Sequence, residues 1–500
     1  MQPFTRFRFA IPYLLGALAV LGFAPFYTFP APMLAIIGII YLWIKADSPK
    51  AAFNLGFQFG LGLYVVGIYW IYISLHDFGG MPWWFAGFST FCLCAFMALF
   101  VGLVGYFSKR FGFIIISAPV LWGLSDWVRS WIFTGFPWLT LGYSQVPHSP
   151  LAGYMPIVGV YGVSTITAFA MAIIAYWLGQ SNLSASWRRN AIAALALLLV
   201  GGGILKGLEW TTPINEPISA SLIQGNTAQS TKWLPETAQN TIDNYINMAR
   251  ASNAQLIVLP ETAFPVVSSQ IDASITDALT NHAKQNNGNI IVGMVKLNQQ
   301  TNQYFNTAFS YGSAPTQIYA KNHLVPFGEF IPLKQVFGWI YRDWLNMPLS
   351  DLSRGGANQT PMQLGNQNVA VNVCYEDVFG EEIIRQLPAA TLLVNISNDA
   401  WYGKSNAANQ HMQFSQARAL ETGRMVLRAT NTGATAAIDP HGYVIAHAPH
   451  DVKNTLNVQA QGYTGSTPYV CWGNWPFIVF CFGVLAFVIW RKLKPNKWYQ

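Results

Sequence analysis

Residues 371–380 read VNVCYEDVFG: an apolar, alternating run that ends in a cysteine, with two acids in the next three residues. Extended back to Val369, the alternation predicts a strand over 369–377. That strand carries a thiol at the end where layered sheets commonly hold reacting groups. The surrounding residues repeat the theme. ISASLIQGN (218–226), AQLIVLP (254–260), NIIVGMV (289–295), YFNTAFSYG (304–312) and TLLVNISN (391–398) read as further strands. Helices are predicted over 236–253, where Ile242, Tyr245, Ile246 and Ala249 share one face, and over about 409–424. GATAAIDP and GYVIAHA read as a closing hairpin. Alternating strands and helices predict a layered α/β or α+β domain with helices outside sheets, over residues 209–466.

The rest of the chain is different. Of 500 residues, 52% are hydrophobic and only 10% charged, against about 25% charged in a soluble domain. Apolar character concentrates in 1–208 and 467–500. Eight candidate membrane spans fall near 9–26, 31–45, 53–75, 84–107, 112–128, 156–178, 190–207 and 470–490, the second and fifth being short. With eight spans, Arg6, Arg8, Lys45, Lys50, Lys109, Arg110, Arg188, Arg189, Arg491 and Lys492 all flank the same side. The positive-inside rule puts that side, with both termini, in the cytoplasm and the 209–466 domain in the periplasm. The net charge of +7 is largely this topology signal. No basic stripe with interleaved aromatics points to nucleic acid.

Cys374 is the only one of five cysteines within the 209–466 domain, so no disulfide framework is available inside it. CxxC and HExxH spacings and Gly-rich phosphate loops are absent, so neither a metal nor a cofactor is expected. Two other residues stand at or past strand ends: Glu261 after IVLP and Lys321 in IYAKNHLVPFGEF. A carboxylate that takes a thiol proton, a thiolate nucleophile and a cation that steadies an oxyanion suffice for acyl transfer. Taken singly, each has a plainer role. A strand cysteine fills core, a Glu after Pro starts a helix, and a loop Lys is a solvated charge.

The motifs LPETAFP, KNHLVPFGEFIP, VCYEDVFG, NISNDAWYG, RATNTGATAAIDPHG and, between two spans, GFPWLTLGYSQ resemble the carbon–nitrogen hydrolase (nitrilase) superfamily. Within it they resemble the apolipoprotein N-acyltransferase family of Gram-negative bacteria. The resemblance covers nearly the whole chain. It implies an αββα sandwich joined to about eight transmembrane helices in the inner membrane. Glu261 matches the family's general base, Lys321 its oxyanion lysine and Cys374 its acylated nucleophile. Glu329 and Glu376 match supporting acids, and Trp233 a tryptophan linked to substrate handling. Tyr375 follows the nucleophile and supplies an oxyanion N–H. The implied activity moves the sn-1 acyl chain of a phospholipid, through a cysteine thioester, to the α-amino group of a diacylglyceryl-cysteine apolipoprotein. The expected partners are therefore a phospholipid donor and an apolipoprotein acceptor, handled by a monomer embedded in the membrane. Residues 335–352, QVFGWIYRDWLNMPLSDL, are expected to form an interfacial lid, with ordinary core packing as the alternative. A membrane-tethered amidase, in which water resolves the acyl-enzyme, is the rival reading, and a scaffold with an inactive domain the second.

Overall fold

The computed structural model describes residues 10–333, 335, 338, 339 and 351–493. The expected lid lies outside the described residues apart from Gln335, Gly338, Trp339, Asp351 and Leu352. The chain divides into two compact units. One takes residues 1–69, 87–208 and 471–500, and the other takes residues 70–86 and 209–470.

The first unit is helical. Four of its helices are long and apolar enough to cross a membrane: Trp83–Phe111, Pro150–Gly179, Ala185–Lys206 and Trp475–Leu493. Pro49–Gly67 and Trp70–Phe78 pass the same test only together and meet at a 50° bend, so the segment expected as a single span over 53–75 is interrupted. Ile11–Gly22 and Pro30–Lys45 are apolar but shorter. The fifth expected span is Ile114–Arg129, only 16 residues long. Its last turn holds a buried ion pair, Arg129 to Asp126 at 2.5 Å. Small residues set the packing of this unit. A Cβ at Gly16 would fall 2.0 Å from the Phe59 carbonyl oxygen, so glycine there lets two helices touch backbone to backbone.

The second unit contains two six-stranded sheets. Its strands are β1 (Thr212–Gln224), β2 (Leu256–Val258), β3 (Asn289–Asn298), β4 (Gln303–Gly312), β5 (Gln317–Ala320), β6 (Met362–Leu364), β7 (Gln367–Val373), β8 (Leu392–Ser397), β9 (Val426–Thr430), β10 (Ala436–Ile438), β11 (Val444–His447) and β12 (Asn454–Thr464). The first sheet runs β12-β1-β2-β3-β4-β5 and the second β11-β10-β9-β8-β7-β6. Parallel pairing is confined to the centres, β1-β2-β3 and β7-β8-β9, where both faces are covered. The sheets meet face to face, β1 on β9 and β4 on β7. Helices Pro235–Arg250 and Ala273–Gln285 close the outer face of the first sheet, burying Ile242, Tyr245, Ile246, Ala249 and Leu279 against Ile257, Ile290 and Val292. Each such side chain contributes roughly 1.5–3 kcal/mol. Helix Ala407–Thr422 does the same for the second sheet through Met412 and Ala419, packed with Leu393 and Val426. The expected αββα layering is the observed one.

Two differences from the sequence reading matter. β6, β9, β12 and helix Ala273–Gln285 are not among the elements expected from the sequence. The strand expected over 369–377 ends at Val373. The Glu376 carboxylate accepts the Val373 N–H at 2.7 Å, and this bond curls Cys374–Val378 into a tight turn.

The turn carrying Glu261 lies directly on β3. A Cβ at Gly293 would approach Pro260 O to 2.4 Å, Thr262 N to 2.6 Å and Glu261 Cα to 2.8 Å, all backbone atoms that cannot swing away. Gly293→Ala is therefore expected to cost about 1–3 kcal/mol of stability. Thermal unfolding of the detergent-solubilised chain checks this, and an unchanged melting temperature contradicts it.

Candidate active site

Glu261 follows β2 by three residues, after Leu259 and Pro260 have carried the chain out of the sheet. Its carboxylate is buried and held by two donors. Asn306 Nδ2 on β4 donates to Oε1 at 2.6 Å, and the Asn398 N–H beyond β8 donates to Oε2 at 3.0 Å. The next residue, Thr262, has φ +48°, a costly conformation for a β-branched side chain. That turn is braced by Lys232, whose Nζ donates to the Glu261 carbonyl at 3.2 Å and to Thr262 Oγ1 at 2.7 Å. Burial lowers the Lys232 pKa to about 8, with the Glu261 charge opposing. Trp233, the next residue, is half-buried.

Lys321 follows β5 directly and its side chain is 1% exposed. Nζ lies 2.8 Å from Glu329 Oε2 and 3.5 Å from Glu261 Oε1. Asn306 Nδ2 links the two carboxylates, reaching Glu329 Oε1 at 3.0 Å. Burial alone would lower the Lys321 pKa. The charges of Glu329 and Glu261, with a smaller contribution from Cys374, more than offset it and hold the ammonium above the usual lysine range.

Cys374 is buried at φ +53°. Burial pushes its thiol pKa well up, the Glu261 charge adds to that, and Lys321 pulls only partly back. Desolvation outweighs the lysine's charge and disfavours the thiolate. Tyr375 packs its ring edge-on against Phe379, with centroids 5.1 Å apart. Glu376 is the tie between the two sides of the site. Beyond Val373, it accepts the N–H groups of Asn322 at 2.7 Å and His323 at 3.1 Å, and the Tyr319 hydroxyl at 3.0 Å. One carboxylate thus grips the backbone on both sides of the Lys321–Cys374 gap.

The structure therefore brings Glu261, Lys321, Cys374, Glu329, Glu376 and Tyr375 together. Trp233 stands one residue from Lys232. Asn306, Lys232, Asn398, Asn395 and His411 were not singled out in the sequence. Lys232 is adjacent to Trp233, and Asn395 and Asn398 lie inside the NISNDAWYG motif, so the sequence hinted at three of them. Among the described residues, no group of His, Cys, Asp and Glu side chains is arranged to hold a metal ion.

Comparison with known proteins agrees with this architecture. Residues 15–173 match the family model described as apolipoprotein N-acyltransferase N-terminal domain, and residues 219–469 match carbon–nitrogen hydrolase. Apolipoprotein N-acyltransferase of Nitrosomonas europaea is 47% identical over 473 residues, covering 94% of this chain and 94% of that one. The protein of the same name from Chromobacterium violaceum is 40% identical over 488 residues, covering 96% and 93%.

Glu376 supplies a pH signature. Burial raises its pKa from 4.5 to about 7, against the lowering effect of its backbone donors and Lys321. The folded chain then binds this proton more tightly than the unfolded chain. The group's stabilising contribution is complete below about 4.5 and is lost as pH rises to about 7. Glu376→Gln removes that component and turns an amide NH₂ towards N–H donors. The melting-temperature gap between wild type and variant is expected to shrink as pH rises through that window. A gap independent of pH contradicts the assignment.

Proposed function

The chain belongs to the apolipoprotein N-acyltransferase family, and from that premise we propose a two-step acyl transfer centred on Cys374. Glu261 takes the thiol proton as sulfur attacks the sn-1 ester carbonyl of a phospholipid. The Lys321 ammonium and the Tyr375 N–H receive the developing oxyanion. The tetrahedral intermediate expels the glycerol oxygen, Glu261 returns the proton to it, and a lysophospholipid leaves a thioester on Cys374. The α-amine of a diacylglyceryl-cysteine apolipoprotein then attacks the thioester, Glu261 accepts its proton, and the thiol is regenerated as the amide forms. Ester, thioester and amide succeed one another without a nucleotide or metal.

The observation that carries this reading is the buried thiol lying under the opposed charges of Glu261 and Lys321. Because burial disfavours the thiolate, a base at hand is required, and Glu261 is fixed by two donors for that task. Glu329 and Asn306 hold Lys321 and Glu261 in register, Glu376 sets the lysine–cysteine spacing, and Trp233 and the Tyr375 side chain contact substrate.

Topology belongs to the same proposal. Eight crossings place both termini in the cytoplasm and the domain over 209–466 against the periplasmic leaflet of the inner membrane. Acyl chains then need not leave lipid, which would cost about 0.8 kcal/mol per CH₂. A monomer suffices, since Glu261, Lys321 and Cys374 come from one chain.

Incubation with phospholipid alone is expected to add one fatty-acyl mass to Cys374, removable by hydroxylamine or by a diacylated lipopeptide amine. Lys321→Met is expected to slow this by about 10²–10³. A Cys374→Ala chain that still acylates the lipopeptide overturns the mechanism. For topology, Lys404→Cys, at an exposed position, is expected to gain label from a membrane-impermeant maleimide in intact spheroplasts relative to the parent chain. Gain only after lysis contradicts a periplasmic domain.

A further inference from the structure

At the carbonyl of Cys374 lies a buried charge cluster that the two steps above do not use. His411 sits inside helix Ala407–Thr422 and is fully buried. Its Nδ1 lies 2.8 Å from Asp399 Oδ1, and its Nε2 lies 2.9 Å from Asp377 Oδ1 and 3.1 Å from the Cys374 carbonyl oxygen. All three partners are acceptors, so both ring nitrogens must carry hydrogen and the ring is an imidazolium. Arg428 on β9 supplies the second cation, 2.6 Å from Asp377 and 3.4 Å from Asp399. Ser415 Oγ donates to Asp377 Oδ2 at 2.5 Å. Two carboxylates face two cations, which is what makes burial of all four tolerable. Burial would lower the His411 pKa, Asp377 and Asp399 raise it against Arg428, and the net value is about 9.

The position of this cluster gives it a task. The Cys374–Tyr375 peptide is trans and therefore planar, so its C=O and N–H point in opposite directions. Asn395 Nδ2 and His411 Nε2 both hold the carbonyl, each at 3.1 Å. Fixing that oxygen fixes the opposite direction of the Tyr375 N–H. Some restraint is needed, because Cys374 at φ +53° is in a conformation that a residue with a Cβ adopts at a cost.

We propose that His411, clamped between Asp377 and Asp399, is a positioning residue for the acyl transfer: it orients the Cys374–Tyr375 peptide so that the Tyr375 N–H meets the oxyanion. The inference rests on the reading of Cys374 as the acylated nucleophile. It assigns His411 no proton transfer and no contact with substrate.

Two reactions of one sulfur separate this role from a general structural one. Thioester formation from phospholipid passes through an oxyanion. Alkylation by iodoacetamide does not: sulfur displaces iodide at carbon, and the thiol proton goes to base. In the full-length detergent-solubilised chain, His411→Gln is expected to slow thioester formation by about ten- to a hundredfold while alkylation of Cys374 stays within about twofold of wild type. Unchanged thioester formation overturns the proposal, and so does an equal loss of both reactions. If His411→Gln does not fold, Asn395→Ala removes the other donor to the same carbonyl, and the same split decides. Wild-type chain that forms no thioester would instead defeat the underlying mechanism, so the two failures are distinguishable.

Discussion

An ammonium group with a side-chain exposure of 1% survives inside a protein only if opposite charge comes with it. Lys321 has Glu329 and Glu261 within 2.8 and 3.5 Å, and the rest of the catalytic unit is arranged around that requirement. Glu261 comes from the end of β2, Lys321 from the end of β5, and the Asn306 amide joining the two carboxylates from β4 between them. The first sheet thus builds a charged half-site, and the second sheet brings Cys374 to it from the end of β7. Without the flanking carboxylates, the desolvation cost of Lys321, several kcal/mol by itself, would stand uncompensated.

The cysteine side is held just as firmly, by backbone groups. Glu376 binds N–H groups on both sides of the gap, and the Cys374 carbonyl has two donors behind it. Neither arrangement requires movement when charge develops on a bound carbonyl, and such preorganisation is where much of an enzyme's electrostatic advantage arises. The cost is a cysteine held at positive φ with its pKa displaced upwards. In the proposed reaction the thiolate would form only as the sulfur attacks, with the Glu261 carboxylate at hand to take its proton.

The candidate trio was legible because each member interrupts an apolar strand signal: Glu261 after VLP, Lys321 after IYA and Cys374 after VNV. The sandwich was legible from the same alternation. The support was not. Gln410, His411, Gln413, Ser415, Gln416, Arg418 and Glu421 give helix Ala407–Thr422 a polar sequence that reads as a solvated face, yet all of them are buried. Of these, His411 and Ser415 meet Asp377, Asp399 and Arg428, which lie on other elements, and no local pattern announces a charge cluster whose balance is achieved only in three dimensions. β6 has three residues and β5 four, too few to show a period. The helical unit shows a related limit. Hydropathy marks where apolar segments lie, but not the break after Gly67 or the 16-residue length of Ile114–Arg129.

The measurement that bears most directly on the central claim is an experimental structure of the chain inactivated by a lipid phosphonate, whose tetrahedral phosphorus mimics the acyl-transfer intermediate. Convergence of the two half-sites predicts phosphorus bonded to Cys374 Sγ, with one phosphonyl oxygen within hydrogen-bond distance of both Lys321 Nζ and the Tyr375 N–H. An adduct on another residue, or a phosphonyl oxygen turned away from both donors, would contradict it.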